Sequence, residues 1–321
     1  MKSFYEVYDQ IEDESYEKLE KSRKKSQVIL LMSIIVCVAM VILIPFSLLK
    51  TREAYTANSV QMVIIIYVVS ILLVLLPFII KILSKSKYTP EFKEKVIGKF
   101  INNIDEKLKY LPEQGISSYT YSLAEFEKFD RFESEDLITG ILDGKYMFQM
   151  SEVKTKWESK DEKGRKTSFP IFHGLFGNIQ CPKSIKTTLK IRSDKWVFGK
   201  IFKRKTKVKM DSQEFEKYFD VYGGNKVTTM QILTAEVMAA MIDFRKQSKI
   251  KYELTIKDSN IFIRFHTGGV FEPGLFKNSL DYNMLKRYYD IIAFVFKVTR
   301  EINSVVEKTD IWNMKYFSEF S

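Results

Sequence analysis

Two long runs of uncharged residues constrain this chain more than any other feature of its sequence. Val28 to Leu49 and Val60 to Ile80 contain no Asp, Glu, Lys or Arg. At a rise of about 1.5 Å per residue, a helix over either run is long enough to cross a hydrocarbon core of about 30 Å. The first run starts too far from Met1 and is too long for the apolar region of a cleaved signal peptide. The sequence therefore predicts a transmembrane hairpin over residues 28–83, with spans at 28–49 and 60–80.

Basic residues around the two runs predict the orientation of the hairpin. The short connection carries Lys50 and Arg52, whereas the outer flanks carry Lys18, Lys21, Arg23, Lys24 and Lys25 before the first run, and Lys81, Lys85, Lys87, Lys93, Lys95 and Lys99 after the second. Because cytoplasmic flanks carry the excess of Lys and Arg, both termini are expected in the cytoplasm of a multi-pass cell-membrane protein. The absence of ionisable residues inside the runs favours an anchor over an ion path.

The residues before the first run predict an amphipathic cytosolic helix over residues 1–27. Phe4, Tyr8, Ile11 and Leu19 recur at helical spacing, and favourable Glu-to-Lys pairs lie four residues apart. The narrow apolar stripe suits packing on the soluble domain or on a second copy of the chain. A homo-oligomer is therefore one expected arrangement.

Residues 84–321 are patterned as a cytosolic α+β domain of antiparallel β-hairpins with packed amphipathic helices. The Asp143-Gly144 pair predicts a hairpin between strands at 137–142 and 145–157, because Asp-Gly tolerates the positive φ that a tight turn requires. Alternation predicts further strands at 169–181 and 187–192, and a second hairpin from 251–256 and 260–265. Helices are predicted from the Thr89-Pro90 start to Leu111, within 210–222 after Asp211 or Ser212, from Thr234 to 247, and over 281–307.

Several strings in this domain resemble a known family. They are Tyr88 to Ile97, Ser134 to Gly140, Ser151 to Val153, and Phe215 to Tyr222, of which the last is the most specific. Together they are similar to bacterial two-pass membrane proteins of domain-of-unknown-function family 3137. The resemblance implies an integral membrane protein with a cytosolic domain, and it brings no activity or catalytic residues with it.

Motifs for recognised chemistry are missing from the sequence. It has no nucleotide-binding glycine fingerprint, phosphate-binding loop, nucleophile elbow or zinc motif, so no cofactor or metal is predicted. Cys37 and Cys181 are too few for a disulfide framework. The acidic residues Asp130, Glu133, Glu135 and Asp136 could bind a hard cation, but solvated turn carboxylates explain them as well. Enzymatic activity stays open, with Glu152, His173 and His266 as the candidate residues.

One segment combines basic and aromatic residues. Between Lys183 and Lys209 the chain has eleven basic residues against one acid, Asp194. The centre of this stretch contains the predicted lipid-binding residues Lys195, Trp196, Phe198, Lys200, Phe202, Lys203, Arg204 and Lys205. Aromatic side chains prefer the headgroup level, and nearby cations are attracted to anionic phospholipid. A solvated basic loop with its aromatics packed on the domain is the alternative.

These patterns lead to two functional hypotheses. The first is a membrane-anchored cytosolic binding or scaffold module whose basic aromatic segment contacts anionic phospholipid headgroups of the bilayer and presents a surface to another protein. The second is a membrane-proximal enzyme acting on a lipid headgroup or another substrate at the inner face. Nucleic acid is disfavoured as a partner, because no recognition motif accompanies the charge.

Overall fold

The computed structural model describes residues 1–11, 14–50, 77, 79–80, 82, 88–160, 163–193, 207–274, 276 and 278–308. The chain divides into two compact units. The first comprises Met1–Tyr8, Gly98–Phe271 and Tyr282–Ser321, and the second comprises Asp9–Ile97 and Glu272–Asp281. The α+β fold class is confirmed, because the first unit combines helices with an antiparallel sheet.

The sheet of the first unit has seven strands among the described residues. They are β1 (Leu108–Leu111), β2 (Arg131–Leu142), β3 (Tyr146–Lys160), β4 (Lys166–Ser193), β5 (Lys207–Val208), β6 (Phe219–Gly223) and β7 (Tyr252–Phe265). Their order is β1-β2-β3-β4-β6-β5, and β7 also pairs with β4. All pairs are antiparallel. The long strand β4 is therefore the centre of the sheet, with β3 beside its first half and β6 beside its end.

The predicted hairpin at Asp143-Gly144 is confirmed. Leu142 pairs with Tyr146, and both Asp143 (φ 50°) and Gly144 (φ 72°) adopt positive φ in the turn. The predicted second hairpin is wrong, because residues 252–265 form the single strand β7. Asp258 has a φ of 54° and interrupts the alternation of side chains between the two faces of the strand. Since the alternation before Asp258 is out of step with that after it, the two halves resemble two separate strands in the sequence. The strands predicted at 169–181 and 187–192 are likewise parts of β4.

The helices of the first unit are α1 (Phe4–Asp9), α3 (Lys99–Ile104), α4 (Ser118–Leu123), α5 (Gln213–Glu216), α6 (Lys226–Ile232), α7 (Ala235–Ser248) and α8 (Tyr282–Lys308), with α2 (Glu14–Lys50) in the second unit. Two predicted caps are confirmed, because Ser212 accepts from Phe215 N and Thr234 accepts from Val237 N. The predicted helix start at Thr89 is wrong, because residues 88 and 89 are both already helical. The predicted helix up to Leu111 is wrong. Its helical course, which includes a π-helical turn at Lys93–Gly98, ends at Ile104, and Leu108–Leu111 is the edge strand β1.

Apolar side chains cover both faces of the sheet. On one face, Phe244 of α7 stacks on Phe294 of α8 with ring centroids 4.1 Å apart, and both contact Tyr252 and Phe265 of β7. On the other face a second core contains Ile116, Tyr121, Ala124, Phe126, Leu137, Val153, Phe172, Phe176 and Phe262. Because both faces are covered, neighbouring side chains of opposite orientation are both buried, as Phe262 and Phe265 of β7 are.

The N-terminal amphipathic stripe is divided between two helices. In the first unit, Phe4 of α1 packs against Tyr282 and Tyr289 of α8, at centroid distances of 5.1 and 5.5 Å. In the second unit, α2 is one helix from Glu14 to Lys50, and its first turns are held by a buried polar cluster. There Glu20 pairs with Arg23 and accepts a hydrogen bond from Ser279 at 2.8 Å.

The predicted spans fall only partly within the described residues. Residues 28–49 belong to α2, although the side chains of residues 40–50 are not described, and most of residues 60–80 lies outside the described part. In the part that is described, no single helix passes the length and hydropathy test for a membrane span. The pair α6 and α7, bent by 66°, passes by length and composition alone. The transmembrane hairpin stays a prediction.

Candidate functional site

The predicted lipid-binding segment lies outside the described residues, but the strands at both of its ends are described. Ser193 ends β4, where its Oγ donates to Tyr252 O at 2.7 Å and accepts from Tyr252 N at 3.2 Å. Val208 of β5 is buried and pairs with Val221 of β6. The described strands on either side of the segment, β4 and β5, are thus fixed in the sheet, and β6 lies between them in the sheet order.

Three of the eleven basic residues counted around this segment have internal partners. Lys190 pairs with Glu125 at 2.6 Å, Arg192 lies 3.8 Å from Glu253, and Lys207 pairs with Asp220 at 2.5 Å. Lys190 and Arg192 are also buried, so the sequence count overstates the charge that the stretch presents to solvent. The basic residues at 195–205 lie outside the described part of the chain.

The structure brings two of the candidate catalytic residues together. Glu152 of β3 and His173 of β4 lie two register positions apart on neighbouring strands, and Glu152 Oε1 is 2.8 Å from His173 Nε2. Lys154 Nζ is 2.9 Å from the same oxygen. The Glu152 side chain is only 2% exposed, whereas that of His173 is 40% exposed. A buried carboxylate thus orients an imidazole at the surface, which is the relation found in acid–base sites and around metal-bound histidines.

The charge state of Glu152 follows from its contacts. Burial raises its pKa, but hydrogen bonds from Val270 N, His173 and Lys154 outweigh burial, so the pKa lies below its usual value. An ionised Glu152 accepts the proton on Nε2, which leaves Nδ1 of His173 as the nitrogen with a free lone pair. The arrangement is suited to accept a proton at Nδ1. Neither residue could be paired with the other from the sequence, since only the strand register brings them together.

Glu152 and His173 also bind the backbone of residues 266–271, called here the strap, which follows β7. Val270 N donates to Glu152 Oε2 at 2.7 Å, and Gly268 N donates to His173 O at 3.2 Å. Phe271 N then donates to Tyr288 OH at 2.8 Å, and Phe271 has a φ of 56°, which is unfavourable for an aromatic residue. Three hydrogen bonds therefore fix a strained strap beside the imidazole.

His266 has a different environment from His173. Its ring contacts Phe172 edge-on at 5.2 Å, and burial together with the nearby Arg264 lowers its pKa to about 4. It is therefore neutral at pH 7.

A buried network of charges was not foreseen from the sequence. Arg264 is bound by Glu253, with Nε and Nη2 each 2.7 Å from Oε2, and also by Glu127. The aromatic ring of Phe126 lies 4.3 Å from the Arg264 guanidinium and 4.6 Å from that of Arg192. Burial raises the pKa of Tyr121, whose hydroxyl contacts both Glu127 and Arg264. Two cations and two carboxylates balance, so this network is a structural element of the second core.

Each carboxylate of the acidic cluster has a partner within the domain. Asp130 accepts from Glu158 N at 2.7 Å, Glu133 pairs with Lys156 at 3.3 Å and Glu135 pairs with Lys154 at 3.0 Å. Asp136 is buried and accepts from the Tyr110 hydroxyl. Among the described residues, no group of three or more His, Cys, Asp and Glu side chains is arranged to hold a metal ion.

Comparisons with known proteins support the family resemblance. Residues 170–304 match the model of a family described as protein of unknown function, DUF3137. A comparison with curated proteins found no match. Among solved structures, the crystal structure of the mycobacterial trehalose monomycolate transport factor A is similar at 8% identity and a TM-score of 0.26, covering 59% of this chain and 89% of that chain.

Proposed function

We propose the function of this chain from its own residues, because the DUF3137 family, whose model matches residues 170–304, is described without an activity. The chain is a membrane-anchored cytosolic binding or scaffold module whose segment at 195–205 contacts anionic phospholipid. The hairpin at 28–83 is its anchor, both termini are cytoplasmic, and the α+β domain presents a surface to a protein partner.

The observation that carries this proposal is the attachment of the basic segment to the sheet. The described residues near its two ends, Ser193 and Val208, are buried in strands of the sheet. A segment attached in this way can place its cations and aromatics against a surface without unfolding the sheet. Each Lys or Arg near an anionic leaflet contributes about 1 kcal/mol, so five cations suffice for a stable contact.

The experiment uses the full chain reconstituted into vesicles with and without anionic lipid. The chain has three tryptophans, and W157F/W312F leaves Trp196 as the reporter. Lipids brominated near the headgroup should quench Trp196, and K200E/K203E/R204E/K205E should abolish the quenching. The matched control K107E/K109E/K128E/K226E changes four exposed lysines elsewhere by the same charge and should leave quenching intact. Unquenched Trp196 in anionic vesicles refutes the lipid contact, and release of the chain from membranes by alkaline wash refutes the anchor.

The Glu152–His173 pair favours a second candidate, an enzyme acting on a lipid headgroup or another inner-face substrate. In this role His173 Nδ1 accepts a proton from the attacking group, and Glu152 holds the ring and stabilises its protonated form. The test is mass spectrometry of phospholipids incubated with the reconstituted chain. Product formation should be lost in H173A and E152Q and retained in H266Q, since His266 lies outside the pair. Absence of any product with the unaltered chain argues against this candidate.

A further inference from the structure

Strands β3 and β4 continue past the point at which their other partner strands end. β2 accompanies β3 only as far as the pair of Arg131 with Lys156, and β7 accompanies β4 only from Leu175 onward. Beyond these limits, residues 157–160 and 166–169 pair only with each other among the described residues. The two strands therefore extend from the sheet as a two-stranded ribbon, called here the ribbon end.

The ribbon end exposes two large apolar side chains. Trp157 is 59% exposed and Phe169 is 50% exposed, and the two residues are directly opposite each other in the strand register. An exposed pair of this kind is costly in water, and a tryptophan beside a phenylalanine is typical of a surface that meets a partner. The base of the ribbon end is fixed, because Glu158 pairs with Arg131 and its N–H donates to Asp130.

The charges of the ribbon end identify the kind of partner. Lys160 and Lys166 are exposed and directly opposite each other, an arrangement that destabilises an isolated strand pair. An anionic surface beside the pair converts this repulsion into attraction. Over residues 157–169 four basic residues stand against three acids, of which Glu158 is already paired with Arg131. Lys160 and Lys166 lie three register positions from the Trp–Phe pair, so strand alternation places them on the other face of the ribbon end. Because lysine stems are long, their ammonium groups can extend around the edge of a two-stranded ribbon to the phosphate groups of a bilayer, in which the aromatic rings lie at headgroup level.

We propose that the ribbon end is a second membrane contact, in which Trp157 and Phe169 enter the headgroup layer of an anionic bilayer and Lys160 and Lys166 bind its phosphates. The inference rests on the proposed membrane location of the chain, but it is independent of the segment at 195–205. Trp157 is the direct reporter, because it belongs to the contact itself.

The test uses W196F/W312F, which leaves Trp157 as the only tryptophan in the full chain. In vesicles containing phosphatidylglycerol, its emission should shift to shorter wavelength, and bromines near the headgroup should quench it more strongly than bromines near the end of the acyl chain. K160E/K166E in the same background should lose both effects. K107E/K109E reverses the charge of two exposed lysines, Lys109 in β1 and Lys107 just before it. This control should retain both the emission shift and the quenching. Circular dichroism of each variant establishes that the sheet is intact.

The outcomes separate this inference from the proposed function. Quenching of Trp157 that disappears in K160E/K166E supports the ribbon contact, whatever Trp196 reports. Unquenched Trp157 in a chain that stays in the vesicles overturns the ribbon contact alone. Quenching that survives K160E/K166E overturns the role of the lysines. A chain that does not remain with the vesicles overturns both the ribbon contact and the anchor.

Discussion

Replacing Glu253 with Gln tests whether the buried charge network is structural. Glu253 is 2% exposed and accepts from two nitrogens of Arg264 at 2.7 Å, while Arg192 lies 3.8 Å away. In E253Q the buried guanidinium groups of Arg192 and Arg264 lose the carboxylate that lies near both of them. Removing one partner of a buried ion pair costs about 3–5 kcal/mol, because the other charge stays buried without compensation. We expect E253Q to lose stability by an amount in this range.

The assay is chemical unfolding of the full chain, followed by circular dichroism. A second substitution tests the reason for the loss, since R192M removes the excess cation and keeps an apolar stem near Phe126. The double variant E253Q/R192M should be less destabilised than the sum of the two single variants, with a coupling of about 0.5–3 kcal/mol. E214Q, which breaks an exposed pair with Lys246, is the control and should leave the midpoint unchanged. A loss below about 1 kcal/mol in E253Q, or additive single effects, refutes the reasoning.

Three further predictions concern the neighbourhood of β4. His266 has a folded pKa of about 4, below that of the unfolded chain, so the unfolded chain binds more protons between these values and stability should fall as pH falls from about 6.5 to 4. H266Q should flatten this slope in pH-dependent unfolding, and an unchanged slope contradicts the assignment. The pKa of Glu152 is also lowered, so its contribution is present above the unfolded carboxyl pKa and is lost as pH falls through the lower folded value. E152Q should make the free energy of unfolding less dependent on pH in the acidic range, and it should speed hydrogen exchange at the amide of Val270. In G174A the new Cβ would meet Phe265 O at 2.0 Å, so unfolding should occur at lower denaturant. G144A has open space around it and costs only the left-handed φ of 72°, about 1–2 kcal/mol, so its denaturation midpoint should change less. Equal effects of the two glycine variants contradict this view.

Local signals in the sequence predicted the elements that local chemistry determines. The Asp143-Gly144 turn, the Ser212 and Thr234 caps and the helix at 282–308 all depend on residues within a few positions of each other. The continuity of β7 could not be predicted in the same way. Asp258 adopts positive φ inside a strand because β4 pairs on both sides of it, and the sequence alone presents an Asp-Ser pair as a turn.

The candidate site shows the same limit more sharply. Glu152 and His173 were recognised singly as candidates, but their 2.8 Å contact depends on a register that places Glu152 opposite Leu175. Arg192 was counted as part of a basic patch, although it is buried in the second core. Net charge along a sequence does not distinguish a cation facing solvent from one facing a buried carboxylate. Only the strand pairing makes that distinction.

Strand β4 connects the two proposed membrane contacts, and this sets a geometric condition on them. The ribbon end lies at its first residue, Lys166, and the basic segment follows its last, Ser193. A straight strand of 28 residues is about 90 Å long at about 3.3 Å per residue, and the register shifts between Gln180 and Leu189 show that β4 is irregular there. If both Trp157 and Trp196 are quenched by bromines near the headgroup, both ends of β4 reach the bilayer, so the strand either lies along the surface or arches between two points on it. If only Trp157 is quenched, the strand points away from the bilayer, and the basic segment is left for an acidic partner in the cytoplasm.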